Sequence, residues 1–361
     1  MNDEYYMKMA LDLARKGRGR VSPNPMVGAV IVQNNRVIGK GYHRYYGGSH
    51  AEINAIRDAG NQVKGATLYV TLEPCCHEGK TPPCVNSIIE HKIKRVVIGA
   101  IDANPLVCRE GVCCLQNRGI DVKTGVLEDD CRRLNEVFFH YMETGMPFIT
   151  IKYAQTLDGR IATLTGNSQW ISSPPSLKLA HQLRAEHDAI LVGRGTVDQD
   201  DPELTVRLVR GRNPLRVIVD SELGVSPQAK VFQNLTSAPA LIATVQKQPP
   251  VSFVQSLPLG VEIITTRKDK NGNVALKYLF KALARRNISS VLVEGGSQII
   301  TSVIRENLAN RMVTVIAPKI IGSGIEAVGD LHIRNLKHAK KLSFQKVVTY
   351  GNDVIIDSRF I

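Results

Sequence analysis

With 361 residues the chain is long enough for two domains, each with its own core. A composition that is 43% hydrophobic and 22% charged, with no low-complexity tract, repeat or membrane-length apolar run, excludes disordered, fibrous and membrane-spanning classes. The formal net charge is +13, of which residues 1–145 carry +3 and residues 146–361 carry +10, so the second half suits an anionic partner; with aromatics at 5% it lacks the stacking rings of a nucleic-acid surface.

The chain begins Met1-Asn2-Asp3-Glu4, acidic and without a signal-peptide core, so a soluble cytoplasmic protein is expected. Tyr6–Ala14 is amphipathic at helical spacing, and strand-like runs follow at Gly28–Val32 and Arg36–His43 with Asn34-Asn35 as the hairpin turn. Next comes Ser49-His50-Ala51-Glu52. It fits a helix capping box, with Ser49 as N-cap and Glu52 at the third helical position. It also supplies an imidazole beside a carboxylate. A strand over Thr67–Leu72 then leads to Pro74-Cys75, and Cys84 stands nine residues later at a Pro82-Pro83 helix start, where the helix dipole favours a thiolate. One imidazole, two thiolates and a non-ligand Glu are the set that zinc deaminases of nucleobases need, with a fourth position left for water. Taken with Pro74-Cys75 and Cys84, the metal reading outweighs the capping box.

All seven cysteines (75, 76, 84, 108, 113, 114 and 131) lie in the first 131 residues. An odd number in one half of the chain argues against a disulfide framework and for metal ligation plus buried thiols. Cys76 adjoins Cys75 as a decoy ligand, and Cys113 and Cys114 read as core residues of a helix that stops at Gly119. A further strand covers Arg95–Ala100, and the alternation suggests a mixed sheet with helices on both faces.

The spacing departs from the usual P-C-x-x-C. An H-x-E followed by P-C-x-H-x-G-[RK]-T-P-P-C, with Pro23-Asn24-Pro25-Met26-Val27-Gly28 before it and Asp102-Ala103-Asn104-Pro105 after it, resembles the deaminase half of bifunctional riboflavin-biosynthesis deaminase–reductases. The resemblance implies a cytidine-deaminase-like domain over 1–145 with Zn2+ on His50, Cys75 and Cys84 and proton transfer by Glu52. It further implies substrate contacts at Asn24, His43, Ala51, Lys80, Asp102 and Asn104, with Lys80 on phosphate. Two departures stand out: Cys108-Arg109-Glu110-Gly111 replaces A-G-[RK]-G, and Asp102-Ala103 replaces Asp-Pro. Loss of the first glycine is expected to disfavour a φ > 0 backbone there.

Thr144-Gly145-Met146-Pro147 marks a boundary before a new strand, Phe148–Tyr153. Strands are expected at Ala189–Gly193, Arg216–Asp220, Ala240–Ala243 and Ser290–Glu294, and helices near Leu177–His187, Leu276–Arg286 and Ile299–Asn307. Gly193-Arg194-Gly195-Thr196 and Glu294-Gly295-Gly296-Ser297 are glycine-bearing turns after strands, suited to phosphate but not the dinucleotide fingerprint. The ordered series Thr156–Ala162, Ser168–Ile171, Val192–Val197, Asp200–Arg207 and Val293–Gly296 resembles the reductase half of the same family, a dihydrofolate-reductase-like α/β domain that uses NADPH. It implies a reductase over 146–361 with substrate contacts at Ser168, Arg184, Leu204, Arg207 and Glu294. Cofactor contacts fall at Ala154, Trp170, Thr196, Asp200, Ser221, Gly295, Gly296 and Ser297. Read singly, Trp170 suits plain core and Arg184 a solvated helix face.

The family implies a phosphorylated pyrimidine as small-molecule partner, and a homo-oligomer is expected. Two other classes share part of the pattern. A nucleic-acid deaminase would share the zinc motif, but the long Cys75–Cys84 insertion and the reductase-like series count against it. A structural zinc domain would need a fourth protein ligand, for which Cys76 and His77 are available.

Overall fold

The computed structural model describes residues 2–78, 82–104 and 109–361. The chain divides into two compact units at Gly145/Met146, and Gly145 ends the last helix of the first unit in the left-handed conformation, φ 65°. Among the described residues no helix is long and apolar enough to cross a membrane.

The first unit runs α1 (Asp3–Ala14), β1 (Gly28–Gln33), β2 (Arg36–Tyr42), α2 (Ala51–Ala59), β3 (Thr67–Leu72), α3 (Cys84–Glu90), β4 (Arg95–Ala100), α4 (Glu110–Asn117), β5 (Asp121–Lys123), α5 (Glu128–Leu134) and α6 (Glu136–Thr144). Among the described residues its sheet has the order β2-β1-β3-β4-β5, antiparallel about β1 and parallel from β3 to β5. Alternation sorts the strand side chains onto two faces. Ala29, Ile31, Leu68, Val70, Val96 and Ile98 meet α2, α3 and α4 on one face. On the other, Val30, Val32, Tyr69 and Val97 meet α1, α5 and α6. Asn34 and Asn35 both take positive φ, as a two-residue hairpin turn requires. Cys113 is exposed, which corrects its expected place in the core: α4 buries Leu115 and half-buries Cys114, and Cys113 falls on its outer face.

The second unit runs β6 (Phe148–Thr156), β7 (Arg160–Thr163), α7 (Pro174–Glu186), β8 (Ala189–Gly193), α8 (Arg194–Asp200), β9 (Leu215–Val219), β10 (Ala240–Thr244), α9 (Val251–Ser256) and β11 (Glu262–Thr265). It continues with α10 (Leu276–Ala284), β12 (Ser290–Val293), α11 (Ser297–Arg305), β13 (Arg311–Ala317), β14 (Gly324–Glu326), β15 (Leu342–Tyr350) and β16 (Asp353–Phe360). Among the described residues the main sheet has the order β11-β10-β9-β8-β12-β6-β13-β16-β15, parallel from β11 to β13 and closed by two antiparallel strands. Central strands such as Ala189-Ile190-Leu191-Val192 are apolar at every position because both faces are covered. Ala189 and Leu191 pack under α10 and α11, and Ile190 and Val192 pack against α7 and α8. The strands β7, β11, β13, β14, β15 and β16 had no counterpart in the sequence expectation. On β15, Gln345 and Lys346 sit on an exposed edge, which hides the apolar alternation.

Two glycines of the first unit are dictated by close approach. A β-carbon on Gly28 would overlap the Ala10 carbonyl of α1, and one on Gly41 would overlap the Ala51 carbonyl and the Ala55 amide nitrogen of α2. Because the obstacle at Gly41 is helix backbone, Gly41→Ala has to push α2 off the sheet. It should destabilise the protein by about 1–3 kcal/mol or more, read as a lower denaturation midpoint. An unchanged midpoint would show that α2 has slack against β2.

Candidate functional site

In the first unit the start of α2 meets the segment that follows β3. His50 is the N-cap of α2 in extended conformation, with no side-chain cap bond, so Ser49 does not cap the helix; its hydroxyl instead accepts from Arg57. Freed from capping, the His50 ring turns inward. Its Nδ1 lies 3.2 Å from the Cys84 sulfur and 3.5 Å from the Cys75 sulfur, and the three ligand atoms lie within 4.8 Å of one another. Cys84 is the first residue of α3 with Pro83 as its N-cap, and its backbone N–H donates to the Cys75 sulfur at 3.4 Å. Hydrogen bonding from Cys84 pulls the Cys75 thiol down, and the same contact together with burial pushes Cys84 up. One imidazole and two crowded sulfurs form a donor set of zinc type. Cys76 and His77 stand outside that set, so among the described residues no fourth protein ligand joins it.

Glu52, in the first turn of α2, is 3% exposed, and one of its carboxylate oxygens has no hydrogen-bond partner among the described residues. Burial raises its pKa, with the His50 charge opposing. An acid that is buried, incompletely satisfied and beside the ligand atoms is equipped to exchange protons.

Around this centre, the His43 ring stands edge-on to His50 with centroids 5.4 Å apart. Its Nδ1 contacts the Ser49 carbonyl and its Nε2 the Asn24 amide, each at 3.2 Å. Ala51 is buried as the first residue of α2. Asp102 is buried, which pushes its carboxyl up to about 6, and it accepts from the Asn104 N–H at 2.8 Å. Lys80, Pro105 and Cys108 lie outside the described residues.

Sequence reasoning missed Glu73. Its buried carboxylate accepts the backbone N–H groups of Asp102, Arg109 and Val112 at 3.2, 3.0 and 3.1 Å, tying the loop after β4 and the start of α4 to Pro74-Cys75. An acid closing the apolar run Thr67–Leu72 was the available signal. Arg109 has φ 62°, so the conformation that loss of the glycine was expected to disfavour is nevertheless adopted. Glu73 holds the strained residue by its own N–H. Gly111, retained from the family pattern, leaves no room for a β-carbon against the Pro74 carbonyl.

In the second unit a cleft of about 1770 Å³ is lined by every substrate- and cofactor-contact residue anticipated between Ala154 and Ser297. Arg184 forks onto Glu294, Nε to Oε1 at 3.0 Å and Nη2 to Oε2 at 2.6 Å, so it is no solvated face. Burial alone would raise the Glu294 carboxyl, but Arg184 and Lys152 hold it down. Lys152, on β6 beside this pair and absent from the sequence expectation, has its pKa lowered by desolvation, which makes it a readier proton donor than an ordinary lysine. Its place in a strand with strand-like alternation hid it.

The Arg207 N–H donates to His181 Nδ1 at 2.9 Å, and the Arg207 guanidinium reaches Glu203 and Thr205 at 2.9 and 2.7 Å. Ser168 donates to Asp200 at 3.0 Å, and Leu204 is buried with φ 55°. Trp170 is 65% exposed on the cleft wall, not core, and its carbonyl accepts from Lys319. The Ser221 hydroxyl accepts the Val274 N–H at 3.1 Å. At Gly295 a β-carbon would stand 3.0 Å from Thr196, and Gly296 has φ 74°, so the turn into α11 offers bare backbone. Such a cradle fits the phosphates of a dinucleotide.

His181 and His187 are both held neutral, their pKa values lowered to about 4 chiefly by burial. An unfolded imidazole titrates near 6.5, so between about pH 6.5 and 4 the unfolded chain binds protons that the folded unit refuses. Stability therefore falls on acidification through that window, by at most about 1.4 kcal/mol per pH unit per ring. The melting temperature should drop between pH 7 and 5, and His187→Asn should flatten the drop; parallel profiles for the two proteins would refute this.

Comparison with known proteins follows the same division. The RibD C-terminal domain family matches residues 147–356, and the cytidine and deoxycytidylate deaminase zinc-binding region matches residues 1–100. A riboflavin biosynthesis protein RibD of Aquifex aeolicus is 46% identical over 98% of this chain and 97% of its own length; that of Escherichia coli K12 is 37% identical over 99% of each. The crystal structure of a diaminohydroxyphosphoribosylaminopyrimidine deaminase/5-amino-6-(5-phosphoribosylamino)uracil reductase of Thermotoga maritima superposes with a TM-score of 0.89 at 39% identity, over 99% of each chain.

Proposed function

We infer the chemistry of both sites from one premise: this chain belongs to the RibD family of riboflavin-biosynthesis proteins. It is a bifunctional enzyme, a zinc-dependent deaminase followed by an NADPH-dependent reductase. The first reaction replaces an amino group of 2,5-diamino-6-(5-phosphoribosylamino)pyrimidin-4-one by a carbonyl and releases ammonia. The second reduces the ribosyl group to ribityl. The observation that carries this reading is the buried, incompletely bonded carboxylate of Glu52 beside the ligand atoms of His50, Cys75 and Cys84.

We assign the roles as follows. His50, Cys75 and Cys84 would hold zinc, which supplies the Lewis acidity that makes water a nucleophile near neutral pH. Glu52 would take a proton from the attacking water and pass it to the departing ammonia. Asn24, His43, Ala51, Asp102 and Asn104 would hold the ring and ribose, with Lys80 on the phosphate. In the second unit Arg207 would bind the phosphate, and Glu294, oriented by Arg184, would accept from ribose hydroxyls. Lys152 would supply the proton that accompanies reduction of the ring-opened imine at C1′. NADPH supplies the hydride; Ala154, Trp170, Thr196, Asp200, Ser221 and the Gly295-Gly296-Ser297 turn would position it. Residues 1–145 form the deaminase domain in this reading and residues 146–361 the reductase domain. Free cysteines among the described residues favour a reducing, cytoplasmic setting, and exposed Phe344 and Val347 on β15 favour a homo-oligomer.

Metal analysis should find about one zinc per chain, lost in Cys75→Ser and kept in Cys76→Ser; loss in Cys76→Ser alone would overturn the ligand assignment. Glu52→Ala should keep zinc and fold while slowing ammonia release by about 10²–10⁴-fold. The same variant should still oxidise NADPH on the deaminated intermediate. Arg207→Ala should release ammonia normally and accumulate that intermediate. If Glu52→Ala accumulates a reduced, still aminated compound, the order of the two reactions is reversed.

A further inference from the structure

We propose that Arg194 recognises the 2′-phosphate of the dinucleotide, so that preference for NADPH over NADH rests on a guanidinium seated on a bare glycine. This inference rests on the reading of the second unit as a dinucleotide-dependent reductase.

The cleft groups follow the strand order of the sheet. Lys152 and Ala154 stand on β6, the Gly295-Gly296-Ser297 turn follows β12, Thr196 follows β8 and Ser221 follows β9, and these four strands are neighbours in that sequence. Three strand spacings of about 4.8 Å separate β6 from β9, about 14 Å in all, a span suited to an extended dinucleotide. Lys152 at the β6 end lines the cleft together with the Arg184–Glu294 fork, the groups assigned to the substrate, which marks that end as the reducing one. The loop after β9 is therefore where the adenosine ribose belongs.

The charges at that loop do not by themselves favour a phosphate. Asp220 spends its carboxylate on the N–H groups of Glu222 and Val225 at 3.2 and 2.8 Å. Glu222 is exposed on the cleft, and Asp269 accepts from Asn271 and Asn273, each at 2.8 Å. Acidic groups at a strand end suit a free 2′-hydroxyl and repel a 2′-phosphate. Arg194 reverses this. Its guanidinium lies against Gly224, where a β-carbon would overlap Nη1 and stand 2.9 Å from Nη2. Its Nε donates to Asp198 at 3.0 Å, and Arg194 is one of the residues lining the cleft. Lys230, a neighbouring cation of the cleft, is paired with Asp201 at 3.3 Å. A planar fork held in this way matches a phosphate better than a flexible ammonium does.

The test is calorimetric titration of the full-length protein with 2′,5′-ADP and with AMP, run beside kcat/KM for NADPH and NADH. The native chain should bind 2′,5′-ADP more tightly. Arg194→Ala should weaken 2′,5′-ADP by about 10- to 30-fold and leave AMP unchanged, with the same loss of NADPH preference. Gly224→Ala, whose methyl displaces the guanidinium without removing its charge, should lose part of the same discrimination. Ammonia release by the first unit should be unaffected in both, and retained AMP binding reports that the second unit is folded. Retained discrimination in Arg194→Ala would overturn the inference alone. No discrimination by the native chain would overturn the cofactor reading and the inference with it.

Discussion

A carboxylate taken out of water must be repaid by charge or by hydrogen bonds, and that constraint organises both units. Glu73 is repaid by three backbone N–H groups, and so it can hold the loop after β4 against the Cys75 segment. Glu294 is repaid by the Arg184 fork. Asp188 is repaid by Ser289, Ser290 and Arg212 at the base of β8 and β12. Glu52 differs from these, with one oxygen unpaired among the described residues. The fully satisfied acids are structural or orienting, and the incompletely satisfied one stands where protons have to move.

The two units solve the problem of placing polar groups in different ways. In the first, close helix-on-sheet packing at Gly28 and Gly41 brings backbone against backbone, so the start of α2 is held by sterics and His50 needs no cap bond. In the second, a parallel sheet buried on both faces presents its strand ends as a row, and the functional groups are distributed along that row. The close site gathers a few ligand atoms within 4.8 Å, and the extended one spans a cleft of about 1770 Å³. The first geometry suits a single ion, and the second suits a long ligand lying beside a smaller one.

Arg109 shows how a departure from a family pattern is absorbed. A left-handed conformation at a residue other than glycine costs about 1–2 kcal/mol. Here the strained residue donates its N–H to the Glu73 carboxylate at 3.0 Å, a charge-assisted bond of comparable worth. Arg109 therefore holds the left-handed conformation at the start of α4 without being glycine.

Much was legible in the sequence because it depends on local order. The strands Thr67–Leu72, Arg95–Ala100 and Ala189–Gly193, the domain class, the His50, Cys75 and Cys84 set and the glycine turns before α8 and α11 all follow from periodicity, turn chemistry and motif spacing. What remained hidden depends on groups remote in the chain. Glu73 acts on residues 29 to 39 positions away, and Arg194 meets Gly224 across a strand. Lys152 looks like any strand lysine until Glu294 and Arg184 fold beside it. The sequence suggests Ser49 as the N-cap of α2, and only the packed structure puts His50 there. Periodicity and motif spacing report a residue's neighbours along the chain, whereas desolvation, charge pairing and steric exclusion are set by its neighbours in space. The identity of the chemistry was therefore determined by the sequence, and the arrangement of the groups that orient and tune it was decided by tertiary structure.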